Sequence, residues 1–295
     1  MTNNKHLNCE TIVRMALEED LGDGDHTSLA TIKEGTKGLA RLLVKANGVL
    51  AGIPVAREVF RQVDPKLRMD ELIGDGHFVE IGQVAFTVEG EIRSILAAER
   101  TVLNFMQRLS GIATETFRIK QLIKGTKAKI LDTRKTTPGL RELEKYAVRL
   151  GGGENHRMGL YDMIMIKDNH VDFANGIEPA LDAVADYQKR RGKKLRVEVE
   201  VRNFDELLDA INSGNIDRIM LDNFSVEDVA SAVQVVAGRF ETEASGGITL
   251  DNVRRYAETQ VDYISLGSLT HQIKSLDMSL KAVIKNFYDP LSIHP

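Results

Sequence analysis

The chain has 295 residues, of which 42% are hydrophobic and 28% charged, and its formal net charge is −4. This is an ordinary globular composition, and the length suits one β/α barrel together with a smaller domain. The net negative charge argues against a nucleic-acid-binding protein, because such proteins need a basic surface to displace counterions. No apolar run approaches the length that spans a bilayer, which argues against a membrane protein.

The cysteine content and the N-terminal sequence indicate the compartment. Cys9 is the single cysteine, so an intramolecular disulfide and a thiolate zinc site are both excluded. The N-terminal sequence contains no uninterrupted apolar segment of the kind found in secretory signals. We therefore expect a soluble, cytoplasmic protein.

Residues 1–110 are predicted to form a mixed α+β domain. The predicted elements are a helix at Thr11–Glu19, a strand at Gly38–Lys45, a helix at Pro54–Val63, a strand at Gln83–Glu89 and a helix capped by Ser94 that runs to about Arg108. The pattern of Met278–Phe287 is also helical. We expect a C-terminal helix within residues 275–295 to pack back on this domain.

Residues 111–274 alternate short apolar runs with amphipathic patterns, which indicates a parallel sheet built from right-handed βαβ units. The predicted strands are Lys129–Asp132, Asp162–Ile166, Leu195–Val201, Arg218–Leu221, Phe240–Ala244 and Tyr263–Leu266. The predicted helices are Leu140–Leu150, Gly176–Arg191, Asn203–Asn212, Val226–Ala237 and Leu250–Glu258. The fold class is therefore α/β.

The choice between an open doubly wound sheet and a barrel depends on small residues after the last two strands. Ser245-Gly246-Gly247 follows one of these strands and Gly267-Ser268 follows the other. Backbone amides in such turns bind the phosphate of many β/α barrels. The chain lacks the glycine fingerprint of a Rossmann fold and the P-loop motif, so a barrel is favoured.

Charged side chains follow the other predicted strands. They are Arg134 and Lys135 after the first, Lys167 after the second, Glu200 at the third and Asp222 at the fourth. In a barrel these strand ends meet at one rim. The cations suit a small substrate with several negative charges, and Glu200 and Asp222 can hold Mg²⁺ or accept ribose hydroxyls.

Two further pairs bear on this site. Glu198 and Glu200 are two residues apart on a strand, so they point to the same face. We expect Glu200 to be functional and Glu198 to pair with a neighbouring lysine or arginine. His156 and Arg157 follow a glycine-rich loop, and beside Lys167 they suit an anion, with arginine able to grip a carboxylate through two hydrogen bonds.

The sequence resembles the quinolinate phosphoribosyltransferase family over nearly its whole length. The resemblance is carried by ALEEDLGDGDHTS (16–28), AERTVLNFMQRLSGIAT (98–114), LDTRKTTPGLR (131–141), GGGENHRMGLYDMIMIKDNH (151–170), VEVEV (197–201), MLDN (220–223), EASGGI (243–248) and DYISLGSLTH (262–271). It implies an incomplete, seven-stranded β/α barrel with an N-terminal α+β sandwich domain. It also implies a homodimer in which each active site is shared between subunits.

The resemblance implies roles for individual residues. Quinolinate would be bound by Arg134, His156 and Arg157, and by Arg100 from the neighbouring subunit, with Thr133 in the same loop. Lys135 and Lys167 would lie between the acid and phosphoribosyl pyrophosphate, while Glu200 and Asp222 would hold the ribose hydroxyls and Mg²⁺. The 5-phosphate would be bound by Ser245, Gly246, Gly247, Gly267, Ser268 and His271. Gln272 departs from the serine that the family often has after Thr-His, beside this phosphate site.

Three alternatives remain at this point. One is a paralogue with the same donor and another acceptor, although the full set of cations favours a dicarboxylate. A second is a lyase or aldolase that uses Lys167 as a Schiff base on a sugar phosphate. A third is a non-catalytic sensor of a phosphate ligand.

Overall fold

The computed structural model describes residues 7–283. In chain order its elements are α1 (Glu10–Leu21), α2 (His26–Thr31), β1 (Lys37–Val44), β2 (Gly48–Val49), α3 (Ile53–Val63), β3 (Arg68–Glu71), β4 (Phe78–Val79), β5 (Val84–Glu91), α4 (Ile92–Leu122), β6 (Lys129–Leu131), α5 (Arg141–Leu150), β7 (Ile164–Ile166), α6 (Asp168–Ala174), α7 (Ile177–Arg191), β8 (Val197–Val201), α8 (Phe204–Ser213), β9 (Arg218–Asp222), α9 (Val226–Val236), β10 (Glu241–Ser245), α10 (Val253–Glu258), β11 (Tyr263–Ser265), α11 (Ser268–His271) and β12 (Met278–Ala282). The chain divides into two compact units, Met1–Thr114 with Lys274–Pro295, and Glu115–Ile273.

The first unit is built on a four-stranded antiparallel sheet in the order β12-β1-β5-β3, with β2 and β4 forming a second, two-stranded sheet. Helix α3 begins where Pro54 occupies its first turn and where Asp75 accepts the backbone N–H groups of Gly52 and Ile53, each at 3.0 Å. Its apolar face is buried, and Phe60 meets Phe86 of β5 edge-on with ring centroids 5.8 Å apart. This unit is the predicted α+β domain.

Two expectations for this unit are wrong. Met278–Ala282 forms strand β12 and not a helix, because Met278 and Leu280 are buried in alternation while the strand pairs with β1. The remainder of the predicted C-terminal helix, from residue 284, lies outside the described residues. Ser94 does not cap α4, which starts directly after β5 at Ile92; instead the Ser94 hydroxyl donates to Asp64 at 3.1 Å.

The second unit contains a six-stranded parallel sheet in the order β6-β11-β10-β9-β8-β7. On the free side of β6, Glu154 adds one parallel bridge to Leu131. Within residues 7–283 the sheet does not close, since β6 and β7 are not paired. The incomplete barrel is thus confirmed, with the seventh strand reduced to the bridge at Glu154.

The central strands β8, β9 and β10 have faces of opposite character. One face is apolar and buried, and includes Val199, Ile219 and Ala244. The other carries polar and charged side chains at alternate positions in matching register, namely Glu198, Glu200, Arg218, Asp222, Glu241, Glu243 and Ser245. The predicted common face of Glu198 and Glu200 is therefore correct, and this face supplies the site.

In the part of the chain that the structure describes, no helix combines the length and the apolar character needed to cross a bilayer.

Candidate active site

A cavity of about 690 Å³ opens at the carboxyl ends of the parallel strands. Its lining includes Thr133, Arg134, Lys135, His156, Arg157, Lys167, Glu200, Asp222, Asn223, Glu243, Ser245, Gly246, Gly247, Gly267, Ser268, His271 and Gln272. Every site residue predicted within the second unit is among them. Arg100 is not; it is exposed on α4, in the first unit.

The loop after β6 is shaped by hydrogen bonds that fix its backbone. The Thr133 hydroxyl accepts the backbone N–H of Lys135 at 3.0 Å, and the Thr270 hydroxyl donates to the Lys135 carbonyl at 2.8 Å. Arg141 of α5 donates to the Thr136 hydroxyl and to the Met158 carbonyl, each at 3.0 Å. This loop is therefore fixed to the segment that follows Arg157, although Arg134 and Lys135 themselves are exposed.

A fully buried ion pair lies beneath the loop. Lys145 of α5 binds Asp132, and neither side chain has solvent exposure. Asp132 also accepts the backbone N–H of His156 at 2.9 Å, and Lys145 donates to the His156 carbonyl at 3.1 Å. Separating the pair would leave a buried charge without a partner, which is costly. The pair therefore stays together, and its contacts hold the His156 backbone in place.

The carboxylates at the rim lie on neighbouring strands. Glu200 of β8 is buried and forms an ion pair with Lys167, which follows β7. Asp222 at the end of β9 is half-buried, and its carboxylate accepts from the Asn223 side chain at 2.7 Å. Mg²⁺ commonly takes one or two protein carboxylates and completes its shell with phosphate and water oxygens. Glu200 and Asp222 fit that donor set.

Glycine is favoured by the backbone conformation in the turn after β10 and by close neighbouring side chains in the turn after β11. Gly246 and Gly247 have φ of +89° and +61°, and a Cβ at residue 246 would collide with the Asn223 side chain. A Cβ at Gly267 would lie 3.0 Å from both the Lys135 side chain and His271 Nε2. Lys135 and His271 therefore lie against this second turn, and both turns leave backbone close to the cavity.

The floor of the cavity is formed by buried acids and one histidine. His156 Nε2 lies 2.9 Å from Glu198 Oε2 and 3.6 Å from Glu243 Oε2, and Arg218 donates to Glu243 at 2.8 Å. Glu198 thus lies beside the His156 ring, and its attraction to Arg218, which lies opposite it on β9, agrees with the expected pairing with a lysine or arginine. Burial raises the pKa of Glu198 to about 7, against the attraction of Arg218. Burial, and then repulsion from Glu198, raises the pKa of Glu243 to about 7.

Three cations of the cavity form no ion pair with a described residue. None of the ion pairs formed within residues 7–283 involves Arg134, Lys135 or Arg157. Arg157 is half-buried, and its pKa is lowered first by burial and then by Arg134, against the attraction of Glu198 and Asp162. Two guanidinium groups are thus close enough to repel each other, and an anion with two carboxylates would relieve that repulsion.

A second cavity, of about 550 Å³, lies at the opposite, amino-terminal ends of the strands. Its cations are partnered: Lys127 binds Asp262 at 2.7 Å and Arg196 binds Glu241. Arg239 donates to the carbonyls of Val235 and Val236 at the end of α9.

Comparisons with known proteins show the family of the chain. Residues 112–281 match the family described as quinolinate phosphoribosyl transferase, C-terminal domain, and residues 25–110 match its N-terminal domain. The chain belongs to the quinolinate phosphoribosyltransferase family. Among family members, it is 47% identical over 287 residues to the chloroplastic nicotinate-nucleotide pyrophosphorylase [carboxylating] of Oryza sativa subsp. japonica, covering 92% of this chain and 77% of the relative.

Two bacterial members of the family are similar over almost their full length. The probable nicotinate-nucleotide pyrophosphorylase [carboxylating] of Bacillus subtilis is 41% identical, covering 95% of this chain and 96% of the relative. The solved structure of the nicotinate-nucleotide pyrophosphorylase from Francisella tularensis superimposes with a TM-score of 0.89 at 41% identity. That superposition covers 96% of this chain and 98% of the other.

The sequence predictions missed several residues that line this cavity or hold its loops. Glu243 could have been found by the same two-residue periodicity that was applied to Glu198 and Glu200, because it precedes Ser245 by two on β10. Lys145 is three residues before the buried Val148 on α5, a spacing that places both on one helix face. For Arg141 and Asn223 no pattern in the sequence indicates the contacts observed.

Proposed function

We propose that this protein transfers the phosphoribosyl group of phosphoribosyl pyrophosphate to quinolinate. The products are nicotinate mononucleotide, pyrophosphate and CO₂, a reaction of NAD biosynthesis. The observation that carries the proposal is the cavity at the carboxyl ends of the strands, which is lined by Arg134, Lys135 and Arg157, none of them in an ion pair with a described residue, and by the carboxylates Glu200 and Asp222. Both substrates carry several negative charges, which the cations of the cavity can bind. The ribose C1 of the donor becomes cationic during transfer, and the two carboxylates can stabilise that charge.

The acid would be bound by Arg134 and Arg157. Each guanidinium can donate two parallel hydrogen bonds to a carboxylate, and quinolinate offers two adjacent carboxylates. The effect of Arg134 on the pKa of Arg157 supports this pairing, since it requires the two groups to be near each other. A monocarboxylate would leave one of these charges without a partner. Thr133 contributes by holding the Lys135 backbone.

The donor would lie across the two glycine turns. Its 5-phosphate would meet the backbone of Ser245, Gly246, Gly247, Gly267 and Ser268, with His271 beside them. Lys135 lies against the second turn and Lys167 lines the same cavity, and both would lie between the acid and the donor, where they can balance the departing pyrophosphate.

Glu200 and Asp222 would hold both the ribose hydroxyls and Mg²⁺. When bound, the metal would neutralise charge on the pyrophosphate group. The two carboxylates would also stabilise the positive charge that develops at the ribose C1. Lys167 keeps Glu200 oriented towards the cavity through their ion pair.

The bond changes follow from this arrangement. The pyridine nitrogen forms a bond to C1 of the ribose as the C1–O bond to pyrophosphate breaks. The alkylated, cationic ring then accepts the electron pair of the bond to the 2-carboxylate, which leaves as CO₂, and ring carbon 2 takes up a proton. The side chains contribute mainly position and charge.

Part of the proposal lies outside a single subunit. We infer a homodimer in which Arg100 of one subunit contacts quinolinate in the other, and the exposure of Arg100 supports that role. We also infer a cytoplasmic location, although plant relatives are named chloroplastic or mitochondrial. The alternative of a Lys167 Schiff base is disfavoured because Lys167 forms an ion pair with Glu200.

Product analysis tests the proposal. The purified protein is incubated with phosphoribosyl pyrophosphate, Mg²⁺ and either quinolinate or nicotinate, and nicotinate mononucleotide and CO₂ are followed. We expect equimolar nicotinate mononucleotide and CO₂ from quinolinate, and both lost in Arg134→Ala. Turnover of nicotinate without CO₂ release, or no product from quinolinate, would contradict it.

The metal assignment has its own test. A Mg²⁺ titration of Asp222→Asn should require a higher concentration for half-maximal rate than the parent enzyme. Asp251→Asn is a matched control, since Asp251 is exposed and does not line the cavity. An unchanged Mg²⁺ requirement in Asp222→Asn would remove Asp222 from the metal site.

A further inference from the structure

The imidazole of His156 faces the cavity, yet neither of its nitrogens is directed there. Nδ1 accepts the backbone N–H of Arg157 at 2.7 Å. Nε2 is buried on the other side of the ring, 2.9 Å from Glu198 Oε2 and 3.6 Å from Glu243 Oε2. One ring nitrogen is therefore occupied by the backbone and the other is closed to solvent.

These contacts fix the tautomer of the ring. A backbone N–H can donate to Nδ1 only if that nitrogen carries no hydrogen, so the neutral ring has its hydrogen on Nε2. Burial lowers the pKa of His156, opposed by Glu243 and reinforced by Arg218. The Nε2–H group of this neutral form is buried near the Glu198 and Glu243 carboxylates, and it makes no hydrogen bond within the described residues.

The same tautomer argues against a metal at this position. His156, Glu198 and Glu243 are all buried, and their possible ligand atoms lie within 4.8 Å of one another. A histidine that binds a metal through Nε2 needs the lone pair of that nitrogen, and its Nδ1 normally donates. Here Nδ1 accepts, so Nε2 has no lone pair to offer.

The peptide between His156 and Arg157 is held by side-chain contacts, one of them from the His156 ring. The His156 N–H is bound by Asp132 and its carbonyl by Lys145, and the next N–H, that of Arg157, is bound by the ring itself. Three consecutive polar groups of the backbone are thus satisfied by side chains. The Arg157 side chain leaves this fixed backbone and donates to the Met163 carbonyl at 3.4 Å.

We propose that His156 is a positioning residue that orients Arg157 through its backbone, and that no ring nitrogen of His156 contacts the substrate. The inference rests on the proposed function for the identity of the acid. It removes His156 from the predicted quinolinate ligands and makes Arg157 the group through which it acts.

Nitrogen-15 NMR tests the tautomer directly. Histidine-labelled enzyme is recorded free and saturated with quinolinate, and the His156 signals are assigned by their absence in His156→Asn. We expect the neutral Nε2–H pattern in both states. A ring protonated on both nitrogens in the complex, or a switch to Nδ1–H, would overturn the proposal; the free-enzyme spectrum needs no turnover and stands even if quinolinate is not the substrate.

Two amide variants distinguish the two ring nitrogens. The asparagine amide ends near the position of Nδ1 and the glutamine amide near that of Nε2, so each replaces one nitrogen. In calorimetric titrations with quinolinate, we expect His156→Ala to weaken binding about 10- to 100-fold, as loss of an orienting residue does. His156→Asn should recover most of that loss and His156→Gln little.

Recovery by His156→Gln instead of His156→Asn would show that Nε2 contacts the acid, and would overturn the proposal. If the variants fail to fold, the spectra of the unmodified enzyme decide alone, with the His156 ring signals assigned through its backbone resonances. Absence of quinolinate binding by the parent enzyme, with the Nε2–H pattern intact, would contradict the proposed function and leave the positioning of Arg157 standing.

Discussion

The two ends of the parallel sheet each open into a cavity of similar size, about 690 Å³ at the carboxyl ends and about 550 Å³ at the amino ends. Both are lined by lysine and arginine. At the amino ends these cations are bound by Asp262, Glu241 or helix carbonyls, whereas at the carboxyl ends Arg134, Lys135 and Arg157 form no ion pair with a described residue.

The volume of a cavity and the number of its cations therefore do not identify a site. What distinguishes the carboxyl-end cavity is uncompensated charge held on a rigid support. Buried ion pairs lie below it and keep the loops in place, while exposed pairs at the other end neutralise the cations that line that cavity. The following variants test the buried ion pairs and the cations of the cavity separately.

The largest effect is expected on removing one member of the buried pair beneath the carboxyl-end cavity. Lys145→Met leaves Asp132 charged in a fully buried position, which should lower the free energy of unfolding by about 3–5 kcal/mol. Urea denaturation measures the change. Asp132→Asn combined with Lys145→Met should recover part of the loss, because no unpaired charge remains; a double variant less stable than Lys145→Met would refute the explanation.

A comparable effect, on activity and not on stability, is expected from the uncompensated arginines. Arg157→Ala should lower kcat/KM by about 10²- to 10³-fold, the range typical of a charged group that stabilises a transition state. Arg239→Ala, at the amino-end cavity, is the matched control and should leave kcat/KM unchanged. Equal losses in both variants would break the distinction between the two ends.

A smaller effect is expected from the pH dependence of stability at the cavity floor. The pKa of Glu243 is raised from its usual value to about 7, so the folded state binds its proton more tightly than the unfolded state. This preference favours the folded protein at low pH and is lost as pH rises from about 4.5 towards 7. Glu243→Gln should therefore lose less stability than the parent between pH 5 and pH 7.5, by roughly 1–3 kcal/mol. If the stability of Glu243→Gln and that of the parent changed equally with pH, the raised pKa of Glu243 would be contradicted.

The smallest effect is expected at the amino-end cavity. Lys127 and Asp262 form an ion pair whose side chains are partly exposed. Lys127→Met should change the free energy of unfolding by less than about 1 kcal/mol, because water and salt screen such pairs. A loss as large as that of Lys145→Met would show that burial does not separate the two pairs.

The sequence predicted the six parallel strands and the meeting of their polar ends, because hydrophobic runs and the residues that follow them are local features. It failed where a partner in space decided the structure. Met278–Ala282 became a strand because β1 offered an open edge, and a pattern of ten residues does not record that edge. Ser94 bonded Asp64, thirty positions away, and not its own helix.

The same limit applies to the site. Arg134, Lys167, Glu200 and Asp222 were identifiable from their positions after strands. The contacts of His156 were not, because the hydrogen bond from the Arg157 N–H to Nδ1 and the burial of Nε2 beside Glu198 depend on the folded chain. Lys145 was hidden for a related reason: a lysine on a helix is usually solvated, and only Asp132 explains its burial.

The central claim, that uncompensated cations at the carboxyl ends form the acid-binding site, is tested most directly by calorimetric titration with quinolinate. The parent enzyme, Arg134→Ala and Arg239→Ala are compared under identical conditions. We expect Arg239→Ala to bind quinolinate as the parent does and Arg134→Ala to bind it much more weakly or not at all. Binding that survives in Arg134→Ala and is lost in Arg239→Ala would place the acid at the opposite end of the sheet and contradict the account.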